Sequence, residues 1–135
     1  MDAAQISRTG LDVEWQRLQT IALNLANMNS SGAPGTPGYR AMRLVSGPVQ
    51  PFAAMLDRPA GVAVRGMAAS VETRRVHEPG HPHADADGFV SYPAVDHAGE
   101  MTLLIRTART YEANLTALSV AHQMYARALE LGKSA

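Results

Sequence analysis

One rhythm limits what this chain can become. Met101, Leu104, Ala108, Tyr111, Leu115, Leu118, His122, Tyr125 and Leu129 follow one another at spacings of 3, 4, 3, 4, 3, 4, 3 and 4 without a break. That is the two-position seam of a coiled coil kept up over four heptads, longer than the amphipathic face of most globular helices. Asp96 suits the start of this helix, Glu100 its first turn and Gly132 its stop. The N-terminal segment answers it. Residues 2–29 lack proline, and Leu11, Leu18 and Leu25 lie seven apart, with Ile21 and Met28 in the companion position and Trp15 and Ala22 widening the stripe. Asp2 with Gln5 three residues on predicts a cap related to the S/T-x-x-E/Q box. SSGAPGTPG ends the helix, since its prolines and glycines cannot continue one.

Between the helices lie some seventy residues that hold all eight prolines. Short period-two runs at Tyr39 to Val45, Gly61 to Met67, Val71 to His77 and Phe89 to Tyr92 predict strands joined by turns. The fold expected is therefore mainly α with a small β-rich insert. Residues 1–29 and 98–135 pair as a coiled coil, and 30–97 form the short-strand central domain. Charge is segregated within that insert. Six arginines stand between Arg40 and Arg75 against Asp57 and Glu72, while Glu78 to Glu100 carries five carboxylates and no Lys or Arg. Such halves complement each other or meet a neighbour's opposite patch. Two long apolar stripes exceed what one hairpin covers, so the chain looks built to be assembled.

Composition excludes several classes. Twelve basic and twelve acidic side chains cancel, which argues against a nucleic-acid partner. Without cysteine there is no disulfide framework, thiolate metal site or cysteine nucleophile. MDAAQISRTG has no basic patch followed by an apolar run, so no ordinary secretory signal is expected. No run of 18 apolar residues predicts a membrane-spanning helix. Composition alone therefore suggests a soluble cytoplasmic chain.

The polar stretch HEPGHPHADADGFVSYP, residues 77–93, invites a chemical reading. His77, His81 and His83 with Glu78, Asp85 and Asp87 crowd into eleven positions. A metal module would draw on His77, His81, His83 and Asp85, but a metal site needs ligands converging from rigid elements, and Pro82 sits between two of the histidines. ADADG resembles the opening of a calcium loop, yet where its closing glutamate belongs, six residues after Gly88, stands Ala94. The competing reading makes Pro79-Gly80 a turn and has Asp85 and Asp87 accept backbone hydrogen bonds. No serine has a G-x-S-x-G setting or a recognisable histidine and acid, and GAPGTPG lacks the lysine of a phosphate loop. Asn24 and Asn27 are either solvated near the helix end or bond across an interface. Tyr111 and His122 occupy seam positions, where polar groups often set register.

Three blocks carry a family resemblance. LDVEWQRLQTIALNLANMNS ends in N-L-A-N (Asn24, Leu25, Ala26 and Asn27). EPGHPHADADGFVSYPAVD is similar to D-P-G-H-P-x-A-D-x-x-G-Y-V-x-Y-P-N-V through Pro79, Gly80, His81, Pro82, Asp85, Gly88, Tyr92 and Pro93. The third is EMTLLIRTARTYEANLTALSVAHQMYARALELG, with R-x-Y-E-A-N at Arg109, Tyr111, Glu112, Ala113 and Asn114. Together they resemble the bacterial flagellar basal-body rod proteins of the proximal-rod type, the FlgC family. Residues 30–60 match only loosely, through GYR and the segment after it.

The resemblance implies a structural subunit with no catalytic residue and no cofactor. It implies helical polymerisation of paired terminal helices around an export channel, as part of a torque-transmitting shaft in the periplasm. Implied partners are copies of the chain, other rod proteins and the flagellar type III export apparatus, which uses no cleaved signal. Nucleic acid and membrane insertion are not implied. Under this reading the 77–93 stretch is a structural loop leading into the last strand, and the cytoplasmic expectation falls.

Overall fold

The structure is a computed structural model that describes residues 2–55 and 58–133. Asp57, counted above among the acids of the insert, lies outside the described residues. The order is α1 (Ala3–Asn27), β1 (Met42–Pro48), α2 (Phe52–Met55), β2 (Val62–Ala69), β3 (Thr73–His77), β4 (Phe89–Pro93) and α3 (His97–Lys133). The chain is mainly helical with a small antiparallel β part, as the sequence predicts.

α1 starts on the expected cap. Asp2 Oδ1 accepts from the Gln5 N–H at 2.7 Å, and Gln5 Oε1 accepts from the Asp2 N–H at 3.1 Å, so two otherwise orphaned donors are satisfied reciprocally. At its other end the Asn27 amide donates to the Leu23 carbonyl at 2.9 Å, and Asn27 Oδ1 accepts from the Ser30 hydroxyl at 3.2 Å. α3 begins where the Asp96 carbonyl accepts from the Glu100 N–H at 2.8 Å. Gly132 does not stop it, and the helix reaches Lys133. A glycine at a helix end interrupts few hydrogen bonds, so its propensity cost of about 1 kcal/mol does not bite there.

α1 and α3 lie side by side and antiparallel. Asn24 meets Glu100, the Trp15 and Tyr111 rings stand 6.3 Å apart, and Gly10 lies against Asn114. At 25 and 37 residues the helices are roughly 37 and 55 Å long.

The strands form two separate two-stranded sheets, β1–β2 and β3–β4, each antiparallel. β1 begins at Met42, three residues later than the period-two pattern from Tyr39 suggests. Tyr39 is taken by α1, through its hydroxyl on Asn24 at 2.8 Å. Val45 pairs with Gly66 and Ser46 with Val64, so Arg65 is the extra residue of a β-bulge that kinks β2. α2, a single turn, was not foreseen, because four residues carry no readable period.

The β1–β2 hairpin is fastened along a second face of α1. Thr9 Oγ1 accepts from the Val62 N–H at 3.1 Å, Arg17 donates to the Ser46 hydroxyl at 2.8 Å, and Asn24 brackets Met42. Thr9, Arg17 and Asn24 recur at about two helical turns, and Val13 and Thr20 are buried on the same stripe. The apolar core is small: Leu11, Val13, Ile21, Ala41, Leu44 and Val90. Thr20, Asn24, Glu100 and Thr107 are buried with it.

Candidate functional site

The 77–93 stretch folds onto itself. β3 and β4 pair in register from Thr73 with Pro93 to His77 with Phe89, and residues 78–88 close the hairpin. Asp85 is its hub. Its Oδ1 accepts from the N–H groups of Phe89 at 2.8 Å and Asp87 at 3.0 Å, and its Oδ2 accepts from Arg75 at 2.6 Å. The Phe89 N–H foremost, then Arg75 and the Asp87 N–H, hold this carboxyl below the usual range against a partial loss of solvent. Gly88 turns with φ 79°, and its N–H and carbonyl bond Asp85 and Glu78. Tyr92 donates to Glu78 at 3.0 Å; burial first, then that carboxylate, raises the phenol. Arg75 lies over the Phe89 ring and Arg74 over Tyr92.

His81 and His83 set their rings edge to face, centroids 5.4 Å apart, without a third ligand beside them among the described residues. His77 sets its ring against Phe89, His81 Nδ1 accepts from the His83 N–H at 3.0 Å, and His83 Nδ1 faces the Ser31 hydroxyl at 2.9 Å. Among the described residues no three His, Asp or Glu side chains gather as a metal site would require. Pro79, Gly80 and Pro82 are exposed at the turns, and Pro93 is buried.

A second polar cluster forms where α1, α3 and β1 meet. Asn24 and Glu100 are both 0% exposed. The Asn24 amide donates to the Met42 carbonyl at 2.9 Å and to Glu100 Oε2 at 3.4 Å. Its oxygen accepts from the Met42 N–H at 2.9 Å and the Tyr39 hydroxyl at 2.8 Å. One side chain thus pairs with both backbone groups of Met42, as a neighbouring strand would, and uses its whole bonding capacity. Glu100 Oε1 meets the Arg43 guanidinium as an ion pair. That contact has no well-formed hydrogen bond, so its attraction is one of charge. Tyr39 is raised above its ordinary value by burial and then by the Glu100 charge.

The seam residues divide. Leu11 and Ile21 are buried; Leu18, Leu25, Met28, Leu104, Ala108, Tyr111 and Leu118 are half-buried; Met101, Leu115, His122, Tyr125 and Leu129 are exposed. α3 turns Glu100, Leu104, Thr107, Tyr111, Asn114, Leu118 and Ala121 inward, again at spacings of 4 and 3. Glu112 is exposed, and Asn114 is half-buried against Gly10. Exposure is 53% at Ile105, 50% at Leu115, 67% at Met124 and 57% at Leu129, so α3 leaves large apolar side chains uncovered on more than one side. Val120, Met124 and Tyr125 border an open groove with Ala3 and Ala4 at the start of α1.

Sequence reasoning placed Glu100 in a first turn and missed its burial, together with Tyr39 and Arg43. The signal was a carboxylate in helical phase with Leu104, Thr107 and Tyr111.

Comparison with known proteins gives one direction. A family model described as flagellar basal body rod FlgEFG protein C-terminal matches residues 86–131. The flagellar basal-body rod protein FlgC of Salmonella typhimurium is 36% identical over 129 residues, covering 95% of this chain and 94% of the relative. That of Aquifex aeolicus is 33% identical over 134 residues, covering 98% and 96%. That of Bacillus subtilis is 32% identical over 142 aligned positions, covering 95% of each.

Proposed function

This chain belongs to the FlgC family of flagellar basal-body rod proteins, and from that premise we propose how its parts serve a rod. It is a structural subunit of the basal-body rod. In our reading it polymerises helically with copies of itself and other rod proteins in the proximal rod, as a torque-transmitting shaft around the export channel. Residues 1–29 and 98–135 supply the axial coiled-coil domain, and 30–97 form the small outer β-rich domain. The subunit leaves the cell through the flagellar type III export apparatus without a cleaved signal and lies in the periplasm. It carries no catalytic residue and no cofactor, and neither nucleic acid nor membrane insertion has a part. Among the described residues no helix is long and apolar enough to cross a membrane.

The observation that supports this most is the set of large apolar side chains that α3 leaves exposed. A helix that turns Glu100, Thr107 and Asn114 inward and leaves Ile105, Leu115, Met124 and Leu129 half or more exposed has much hydrophobic surface uncovered. Exposed apolar surface on this scale marks places that other chains cover. A contact between two different faces of the same chain generates a helical stack where its rotation does not close into a ring.

The test compares two aspartates. Leu115→Asp sits at an exposed position of α3, where the carboxylate stays solvated in the isolated chain, so stability should change by about 0.5 kcal/mol or less. In the rod it would be buried without a partner, and motility should be lost. Leu118→Asp turns toward α1 and should destabilise the isolated chain as well. Full motility with Leu115→Asp would sink the proposal. Recovery of the chain from purified hook–basal bodies by mass spectrometry tests its location independently.

A further inference from the structure

The junction of α1, α3 and β1 is held by an amide and an ion pair where small proteins usually place leucine or valine. Replacing such a network by apolar groups of similar volume is often neutral or stabilising, whereas removing one member strands the rest. Strength is therefore not its distinguishing property. Its distinguishing property is that it has one solution.

The aliphatic contacts beside it have several. α1 offers Leu11, Leu18, Ile21 and Leu25, and α3 offers Leu103, Leu104 and Leu118. A slip of one helical turn, roughly 5.4 Å, exchanges one such contact for another. The same slip removes Glu100 from Asn24 and Arg43 and leaves a buried carboxylate alone. A second mark lies further along. Gly10 is fourteen residues before Asn24, and Asn114 fourteen after Glu100. There the Asn114 side chain sits so close to α1 that a Cβ on residue 10 would stand 3.0 Å from its Nδ2. Both marks coincide in one antiparallel alignment.

We infer that Glu100 and Asn24, closed by Arg43, are positioning residues that set the register of α1 against α3 and the angle at which β1 leaves them, so that the subunit presents one shape to its neighbours. Asn24 does this by holding Met42 and Glu100 with the same amide. Arg43, at 52% side-chain exposure, caps the carboxylate from the strand side, so the register and the β1–β2 hairpin are fixed together.

The test uses the full chain. It contains no cysteine, so labels at Gln19→Cys and Arg109→Cys, both at exposed positions, report one distance between the helices. The parent should give a single distance. The triple variant Asn24→Leu, Glu100→Leu, Arg43→Leu should keep its helix content and gain a second population displaced by about 5 Å. A triple variant that keeps the single parental distance would overturn the inference. If it does not fold, Glu100→Ala is read in sucrose at matched helix content, where a single parental distance overturns the inference equally. Glu100→Gln, which keeps the amide contact and shape, should retain the parental distance. The distance is measured on the isolated chain and needs nothing from the rod reading. Only the consequence for assembly rests on that reading: a register-shifted triple variant that swims like the parent would overturn the claim that neighbours require one shape.

Discussion

Gly61 lies where the start of β2 crosses α1, and its replacement by alanine tests how the β1–β2 hairpin is fastened. Its φ is not in the left-handed region, so alanine is acceptable to the backbone and would by itself stabilise by roughly 0.4–1 kcal/mol through the unfolded chain. Space is what forbids it. An added Cβ would overlap Thr9 Oγ1 and stand 2.8 Å from Thr9 Cγ2 and 2.9 Å from Thr9 Cβ. Threonine cannot step aside freely, because its hydroxyl donates to the Ile6 carbonyl at 2.7 Å and accepts from the Val62 N–H at 3.1 Å. Overpacking costs about 1–3 kcal/mol and the lost bond about 1, so after the gain through the unfolded chain the net loss should be about 1–3.5 kcal/mol. In urea, with a slope near 1.5 kcal/mol/M, the midpoint should fall by about 0.7–2.3 M. Thr9→Ala alone should cost about 1 kcal/mol, and Gly61→Ala added to it should cost less than in the parent, because only the 2.9 Å approach to the Cβ of residue 9 remains, a coupling of about 1 kcal/mol or more. Equal effects of Gly61→Ala in both backgrounds would refute the steric account, and so would a loss below about 0.5 kcal/mol.

Other perturbations have equally definite outcomes. Asn24→Ala strands the Met42 peptide groups, the Tyr39 hydroxyl and Glu100 Oε2, and should cost about 3 kcal/mol in the same urea assay. Gly88→Ala combines a φ of 79° with a Cβ placed 3.1 Å from Pro79 Cβ; it should cost about 1–2 kcal/mol and speed proteolytic nicking between residues 77 and 89. Asp85 is depressed in the folded chain, so its contribution is complete above the ordinary carboxyl value, about 3.9, and is lost as pH falls through the lower folded value. Asp85→Asn should therefore lower stability at neutral pH and flatten the acid side of a midpoint-versus-pH curve taken from pH 6 to 2.

How far the sequence could be read follows from what each pattern measures. The D-x-x-Q cap and the proline-rich stop of α1 act locally, so they were legible to within a residue or two. The strands were legible in number and order, and β1 started late only because Tyr39 serves Asn24 across fifteen positions. The loop at 77–93 was legible as chemistry of two kinds, ligand or turn. Only three dimensions show Asp85 spending its oxygens on its own backbone and Arg75. Glu100 stayed hidden because a carboxylate in a first turn is ordinary on dipole grounds, and nothing local announces burial. Its partners are 57 and 76 residues away in the chain.

α3 shows why periodicity could find the helix and still leave its orientation open. The unbroken apolar rhythm from Met101 to Leu129 and the line turned toward α1 share Leu104, Tyr111 and Leu118, then part by about one residue, or 100° of helix. Hydrophobic spacing reports where water should be excluded, not which chain excludes it. Glu100, Thr107 and Asn114 take the alternate inward places that Met101, Ala108 and Leu115 hold in the apolar rhythm. This arrangement divides the two tasks. Polar groups with one bonding solution fix the subunit's internal geometry, and apolar groups tolerant of exact position face outward, where neighbours can cover them. Stability and assembly are then linked by mass action, because whatever covers those exposed side chains binds the folded chain and not the unfolded one. The isolated subunit should accordingly be more fragile toward the end of α3, past the start of α1, than at the Asn24–Glu100 junction. Amide exchange should show this directly, fast from Met124 to Lys133 and slow around Met42. The reverse order of protection would mean that α3 is held by its own chain and that its exposed apolar side chains need no neighbour.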